Sequence, residues 1–102
     1  MSYKYKNKPL VVDQIRFASQ QEGMRYLQLK AMLQKGEITR LQLQPSFTIR
    51  VEGEVICRYV ADFQYLKDGK LVVEDAKGFR TDVYRLKKKL LHACFGIEIQ
   101  EV

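Results

Sequence analysis

The chain alternates between two hydrophobic periods, and the switches between them outline its elements. Residues 10–17 (Leu10-Val11-Val12-Asp13-Gln14-Ile15-Arg16-Phe17) read as a short strand or an extended lead-in. Ser19-Gln20-Gln21-Glu22 has the S-x-x-E form of a capping box, which starts a helix. Met24, Leu27, Ala31 and either Leu33 or Leu29 then keep helical spacing to about residue 35, where Gly36 stops it. Leu41 and Leu43 alternate with Gln42 and Gln44, which is strand period. Pro45 interrupts, so pairing there lies at an edge or a bend. Strand resumes from Ser46 to Val51, turns at Glu52-Gly53-Glu54, and runs as one long strand from Val55 to Leu66. A further strand covers residues 71–77 and ends at Gly78. Thr81 or Asp82 caps a second helix that reaches about Cys94, with Gly96 as its stop and Val83, Leu86, Leu90 and Ala93 or Cys94 as its apolar stripe. Residues 97–102 close the chain as a short strand.

The Asp68-Gly69 pair between two strands is the sequence preference of a type I′ turn. A two-residue loop there pairs Lys67 with Lys70, and counting back sets Asp62 opposite Asp75. Facing side chains in such a ladder stand roughly 4.5–5.5 Å apart at Cβ, and like charges there are destabilising. Alternation places Asp62, Asp75 and Lys77 on one face with Gln64 and Val73. The other face, with Ala61, Phe63, Tyr65, Val72 and Ala76, is apolar enough to be a core. Glu74 competes with Asp75 as the acidic partner but has the wrong parity to share a face with Lys77, unless a bulge intervenes.

A length of 102 residues suits a single domain with residues 1–9 as a flexible basic arm. Hydrophobic residues at 46% and charged residues at 29% are an ordinary globular balance. The absence of a signal-peptide pattern and of a long apolar run leads to an expected cytoplasmic location without membrane contact. Cys57 and Cys94 have no ligand-like spacing and one histidine accompanies them, so two buried free thiols are expected rather than zinc. The net charge of +6 favours a polyanionic partner such as nucleic acid.

Two carboxylates and a lysine on one strand face have a definite chemical use. Paired carboxylates hold Mg²⁺, or Mn²⁺ in its place, and such an ion keeps sites for water and phosphate oxygens. A lysine beside it orients the attacking water and stabilises charge developing on phosphorus. Asp62, twelve residues, then Asp75-x-Lys77 resembles the PD-(D/E)XK nuclease motif, with Ala61 at the proline position. The text around it is more specific. Tyr59-Val60-Ala61-Asp62-Phe63-Gln64-Tyr65, Val72-Val73-Glu74-Asp75-Ala76-Lys77-Gly78 and Thr81-Asp82-Val83-Tyr84-Arg85-Leu86-Lys87 resemble a family of small phage and prophage endodeoxyribonucleases. Phe17-Ala18-Ser19-Gln20-Gln21-Glu22 and Leu41-Gln42-Leu43-Gln44-Pro45 fit it too, so the resemblance covers about residues 10–102. It implies an α/β (α+β) fold with a restriction-endonuclease-like core ordered α-β-β-β-α-β, a mixed sheet with helices packed on it. It also implies that Glu22 joins Asp62, Asp75 and Lys77 as a fourth active-site residue, with Glu22, Asp62 and Asp75 as metal ligands. A bacterial host cell is the implied setting.

Blander readings stand beside these. Glu22 at the third helical position can simply complete the capping box, and Asp75-x-Lys77 can be a solvated strand face. Arg80, Arg85, Lys87, Lys88 and Lys89 can be a solvated helix face; DNA contact is expected of those nearest the active face, Arg80 among them, with Lys87 favoured by its position in the family the chain resembles. Tyr84 is either a core aromatic or a phosphate donor. Gln44 is a second-layer polar group or an ordinary strand-end residue, and His92 is a surface residue. The expected function is a Mg²⁺-dependent DNA endonuclease, with branched or recombination-intermediate DNA as an attractive substrate and a homodimer as the way to make paired cuts. The rival readings are a non-catalytic nucleic-acid-binding module on the same fold and a structural protein of a phage particle.

Overall fold

Asp68 and Gly69 both take positive φ, 53° and 75°, and the loop closes on a Lys67–Lys70 pair as the type I′ preference requires. Only glycine takes such angles without a steric cost, which is why it holds the second position. The computed structural model describes residues 9–76 and 81–102. The N-terminal arm, Pro9 apart, and the residues Lys77 to Arg80 lie outside the described residues. The fold is mixed α and β, with two helices and several sheets among the described residues. Contacts divide the chain into two compact units, Met1–Thr39 and Arg40–Val102.

In the first unit, residues 10–17 form a hairpin rather than one strand. Strands β1 (Leu10–Val12) and β2 (Ile15–Phe17) pair antiparallel around Asp13 and Gln14, both at positive φ. Helix α1 (Gln20–Gln34) follows, and the Ser19 hydroxyl caps it by accepting the Glu22 N–H at 3.2 Å. At its other end Gly36 N–H reaches the Leu33 carbonyl and Glu37 N–H the Met32 carbonyl, the Schellman pattern. The buried stripe is Glu22, Gly23, Tyr26 and Leu29; of the alternatives Leu29 and Leu33 it is Leu29 that is buried, while Met24 and Leu27, expected inside, are exposed. Two contacts set this rotation. Leu10 lies so close to Gly23 that a Cβ there would sit 2.5 Å from its Cδ2. Tyr26 packs its ring on Phe17, centroids 5.1 Å apart, and donates its hydroxyl to Asp13 at 2.9 Å. Lys30 joins the same carboxylate at 2.5 Å. That lysine hydrogen bond, followed by the tyrosine one, holds the Asp13 carboxyl below its ordinary range.

The second unit is built from β3 (Thr39–Leu43), β4 (Ser46–Val51), β5 (Glu54–Val60), β6 (Phe63–Lys67), β7 (Lys70–Asp75), α2 (Asp82–Phe95) and β8 (Ile99–Glu101). One sheet has the order β3-β6-β7-β8, and β4-β5 form a separate two-stranded ribbon. The single strand expected from Val55 to Leu66 is therefore two strands, broken at Ala61-Asp62. The cause is on the neighbouring segment. Pro45 has no N–H to give, and Gln44 before it is held at φ 51°, so the chain bends there. Gln44 N–H donates to the Asp62 carbonyl at 2.9 Å and Ala61 N–H to the Pro45 carbonyl at 3.0 Å, so the bend is copied across the pair.

Strands β7 and β8 pair parallel across α2, a β-α-β unit, with Val73 beside Ile99 and Asp75 beside Glu101. The core gathers Ile49, Tyr59, Ala61, Val73, Tyr84, Leu91 and Ile99. Helix α2 turns Tyr84 and Leu91 inward; of the expected stripe, Leu90 packs half-buried against the core, while Val83 and Leu86 are 62% and 59% exposed. Lys87 and Lys88, half-buried, lay their stems beside that inward face. Both cysteines are free, but Cys94 is exposed rather than buried and Cys57 is half-buried. Among the described residues no helix is long and apolar enough to cross a membrane.

Candidate active site

The β6-β7 ladder carries the expected register from Lys67↔Lys70 to Phe63↔Glu74, then stops one pair short of Asp62 and Asp75. Asp62 has followed the bend. Its N–H donates to the Glu74 carbonyl at 3.1 Å, and its carboxylate Oδ2 accepts the Ala76 N–H at 2.6 Å. Asp62 is thus not a simple facing partner; its side chain reaches across to the peptide that follows Asp75. Being half-buried, it keeps one side toward solvent.

Asp75 ends β7 and is fully buried. The Tyr59 hydroxyl, from β5, donates to its Oδ2. Burial is the main cause that drives the Tyr59 hydroxyl far above the ordinary tyrosine range; the hydrogen bond to Asp75 and the charges of Asp75, Tyr84 and Asp62 add to it. The Asp62 carboxylate, held on the Ala76 amide, and the Asp75 carboxylate therefore both belong to the end of β7. The Tyr84 ring stacks beside Tyr59 with centroids 6.2 Å apart. The Tyr84 hydroxyl donates to Glu101 at 2.7 Å, and Lys88 reaches the same carboxylate at 3.3 Å.

Glu74 lies on the opposite face, as its parity requires, and is also fully buried. Tyr65, its diagonal neighbour across the ladder, donates its hydroxyl to Glu74 Oε2. Consecutive acids on β7 therefore each receive a tyrosine hydroxyl, one from each side of the sheet. Nothing in the sequence marks Tyr59 and Tyr65 as acid partners, because the pairing crosses strands and each tyrosine also satisfies the strand pattern.

The remaining expected residues fall as follows. Lys77 and Arg80 lie outside the described residues. Glu22 is buried in the first turn of α1, where its amide takes part in the cap. Tyr84 is a core aromatic whose hydroxyl is already engaged. Lys87 turns away to donate to the Arg58 carbonyl at 3.0 Å. Among the described residues no three His, Cys, Asp or Glu side chains stand together as a ready metal cluster; the second unit supplies the Asp62–Asp75 pair.

The chain matches a family over residues 2–100, described as protein of unknown function (DUF1064), and belongs to it. No curated protein and no solved structure matches the chain.

Proposed function

We propose that this DUF1064 protein is a Mg²⁺-dependent DNA endonuclease with a restriction-endonuclease-like core. The observation that carries the reading is the reach of the Asp62 carboxylate to the Ala76 amide, the peptide directly after Asp75 at the end of β7 and just before Lys77 in sequence. The β7-α2-β8 parallel unit beside an antiparallel β6 supports the core topology. Two hard carboxylate oxygen donors suit Mg²⁺ or Mn²⁺. The ion supplies Lewis-acid activation of water and phosphate when bound. The chain's residues do the rest. Asp62 and Asp75 would hold the ion, Tyr59 holds Asp75 in place, and Lys77 orients the water and stabilises negative charge on phosphorus. The net charge of +6 keeps the polyanion close. The substrate is phage or prophage DNA in a bacterial cytoplasm, branched intermediates included, and a homodimer makes the paired cuts.

A cleavage assay tests this. Plasmid and branched DNA are incubated with the protein in Mg²⁺, in Mn²⁺ and in chelator, beside Lys77→Ala and Asp75→Asn. Metal-dependent nicking that falls about 100-fold or more in both variants is the expected result, the scale of losing one charge-stabilising group. Equal nicking by all three proteins sinks the proposal.

One observation favours a second reading. Asp75 is fully buried and Asp62 already caps the Ala76 amide, so both acids have structural work. A non-catalytic nucleic-acid-binding module on the same fold would show salt-sensitive DNA binding without cleavage in either metal.

A further inference from the structure

Arg85, Lys88, Lys89 and His92 follow the i, i+3, i+4, i+7 spacing that gathers side chains on one helix face. They form one wall of a groove of about 580 Å³ whose opposite wall is β8 and the residues leading into it. Tyr84 and Ile99, both buried, contribute its apolar lining. We propose that this groove holds the sugar-phosphate backbone of a nucleic-acid strand, with the phosphates against the α2 wall. The inference rests on the nucleic-acid part of the functional reading. It moves the contact surface from Lys87, which faces Arg58, to the other flank of the helix.

Three features fit that ligand. The first is spacing. Seven residues of helix advance about 10.5 Å, and a B-form strand advances about 3.4 Å per phosphate, so the wall spans about three phosphates. The second is charge. The groove also has two acids, but Glu101 is engaged by the Tyr84 hydroxyl and by Lys88, and Glu98 stands 3.8 Å from His92. Arg85 and Lys89, both exposed, are left to meet an anion; the Arg85 partner, Asp82, is 99% exposed and easily displaced. The third is continuity. Glu101 is the strand partner of Asp75, and Val102 N–H donates to the Asp75 carbonyl at 3.1 Å. Glu101, which lines the groove, therefore stands one strand spacing, about 4.8 Å, from the candidate acid.

Binding of single-stranded DNA, duplex DNA and RNA is measured by fluorescence anisotropy in chelator over a range of salt. The groove variant is Arg85→Gln with Lys89→Gln. The control is Lys67→Gln with Lys70→Gln, which removes two equally exposed charges at the far hairpin. The groove pair is expected to weaken binding at least about tenfold and to flatten the slope of log K against log salt by about 1.5–2, the share of two lost phosphate contacts. The control pair is expected to keep the wild-type slope. Equal losses from both pairs, wild-type binding by the groove pair, or no binding by the wild type would each overturn the proposal. Groove-dependent binding with no cleavage in Mg²⁺ would remove the nuclease reading and leave the groove in place. Cleavage undiminished in the groove pair would do the reverse.

Discussion

The Tyr59–Asp75 contact can be tested without any substrate. Tyr59→Phe removes one oxygen, leaves the ring to pack against Tyr84, and takes a donor from a carboxylate with no solvent exposure. A hydrogen bond to a charged group contributes roughly 1.5–3 kcal/mol, and a buried group left short of a partner carries the desolvation cost besides. About 2 kcal/mol is the expected loss. Unfolding entropy near 2.1 cal/mol/K per residue gives a domain of this size about 0.2 kcal/mol per degree, so the midpoint should fall by about 10 °C. Thermal denaturation followed by circular dichroism reads this, with urea titration giving the free energy directly. A double-mutant cycle with Asp75→Asn isolates the pair, with a coupling of about 1–2 kcal/mol expected. A midpoint within about 2 °C of wild type, or no measurable coupling, would refute the contact.

Three further perturbations probe other parts of the fold. Gly69→Ala puts a side chain on a residue at φ 75°, so it should cost about 1–2 kcal/mol by urea titration although no atom lies within 4 Å of the new Cβ. Gly23→Ala should destabilise by about 1 kcal/mol despite the better helix propensity of alanine, because the added methyl meets Leu10 at 2.5 Å; a gain in stability would contradict that contact. Lys30 and Tyr26 lower the Asp13 carboxyl below its ordinary value of 3.8, so this group contributes stability above about that pH and loses it as pH falls through the lowered folded value. Denaturation between neutral pH and pH 3 should therefore show Asp13→Asn converging on wild type at the acid end, and a constant gap would count against the linkage.

Local chemistry in the sequence located what depends on local chemistry. Asp68-Gly69 announces its turn because type I′ angles demand such residues, and Ser19, Gly36, Thr81 and Gly96 mark helix ends through their caps. The break at Ala61-Asp62 was hidden because Tyr59 to Leu66 reads as unbroken strand; its cause is Pro45, which lies on another segment. The helix stripes were rotated for a related reason. Tyr26 and Tyr84 have polar tips, and lysine stems cover apolar surface, so neither counts fully in an apolar pattern. At the site, register reasoning brought Asp62 and Asp75 to the same end of the hairpin, but the pairing was not the expected face-to-face one. Asp62 spends its backbone on the bend and its side chain on the Ala76 amide. Tyr59, which donates to Asp75, could not be found from spacing because its strand belongs to a different sheet.

The central claim is that Asp62 and Asp75 together support metal-dependent hydrolysis. Asp62→Asn tests it most directly, because Asp62 is half-buried and asparagine keeps an oxygen for the Ala76 amide. Single-turnover cleavage of a DNA substrate is followed while Mg²⁺ is titrated, with wild type and variant matched for thermal midpoint. The account predicts a rate lower by about 100-fold or more at every Mg²⁺ concentration and a higher Mg²⁺ requirement. A variant that cleaves at the wild-type rate with the wild-type Mg²⁺ dependence would contradict it.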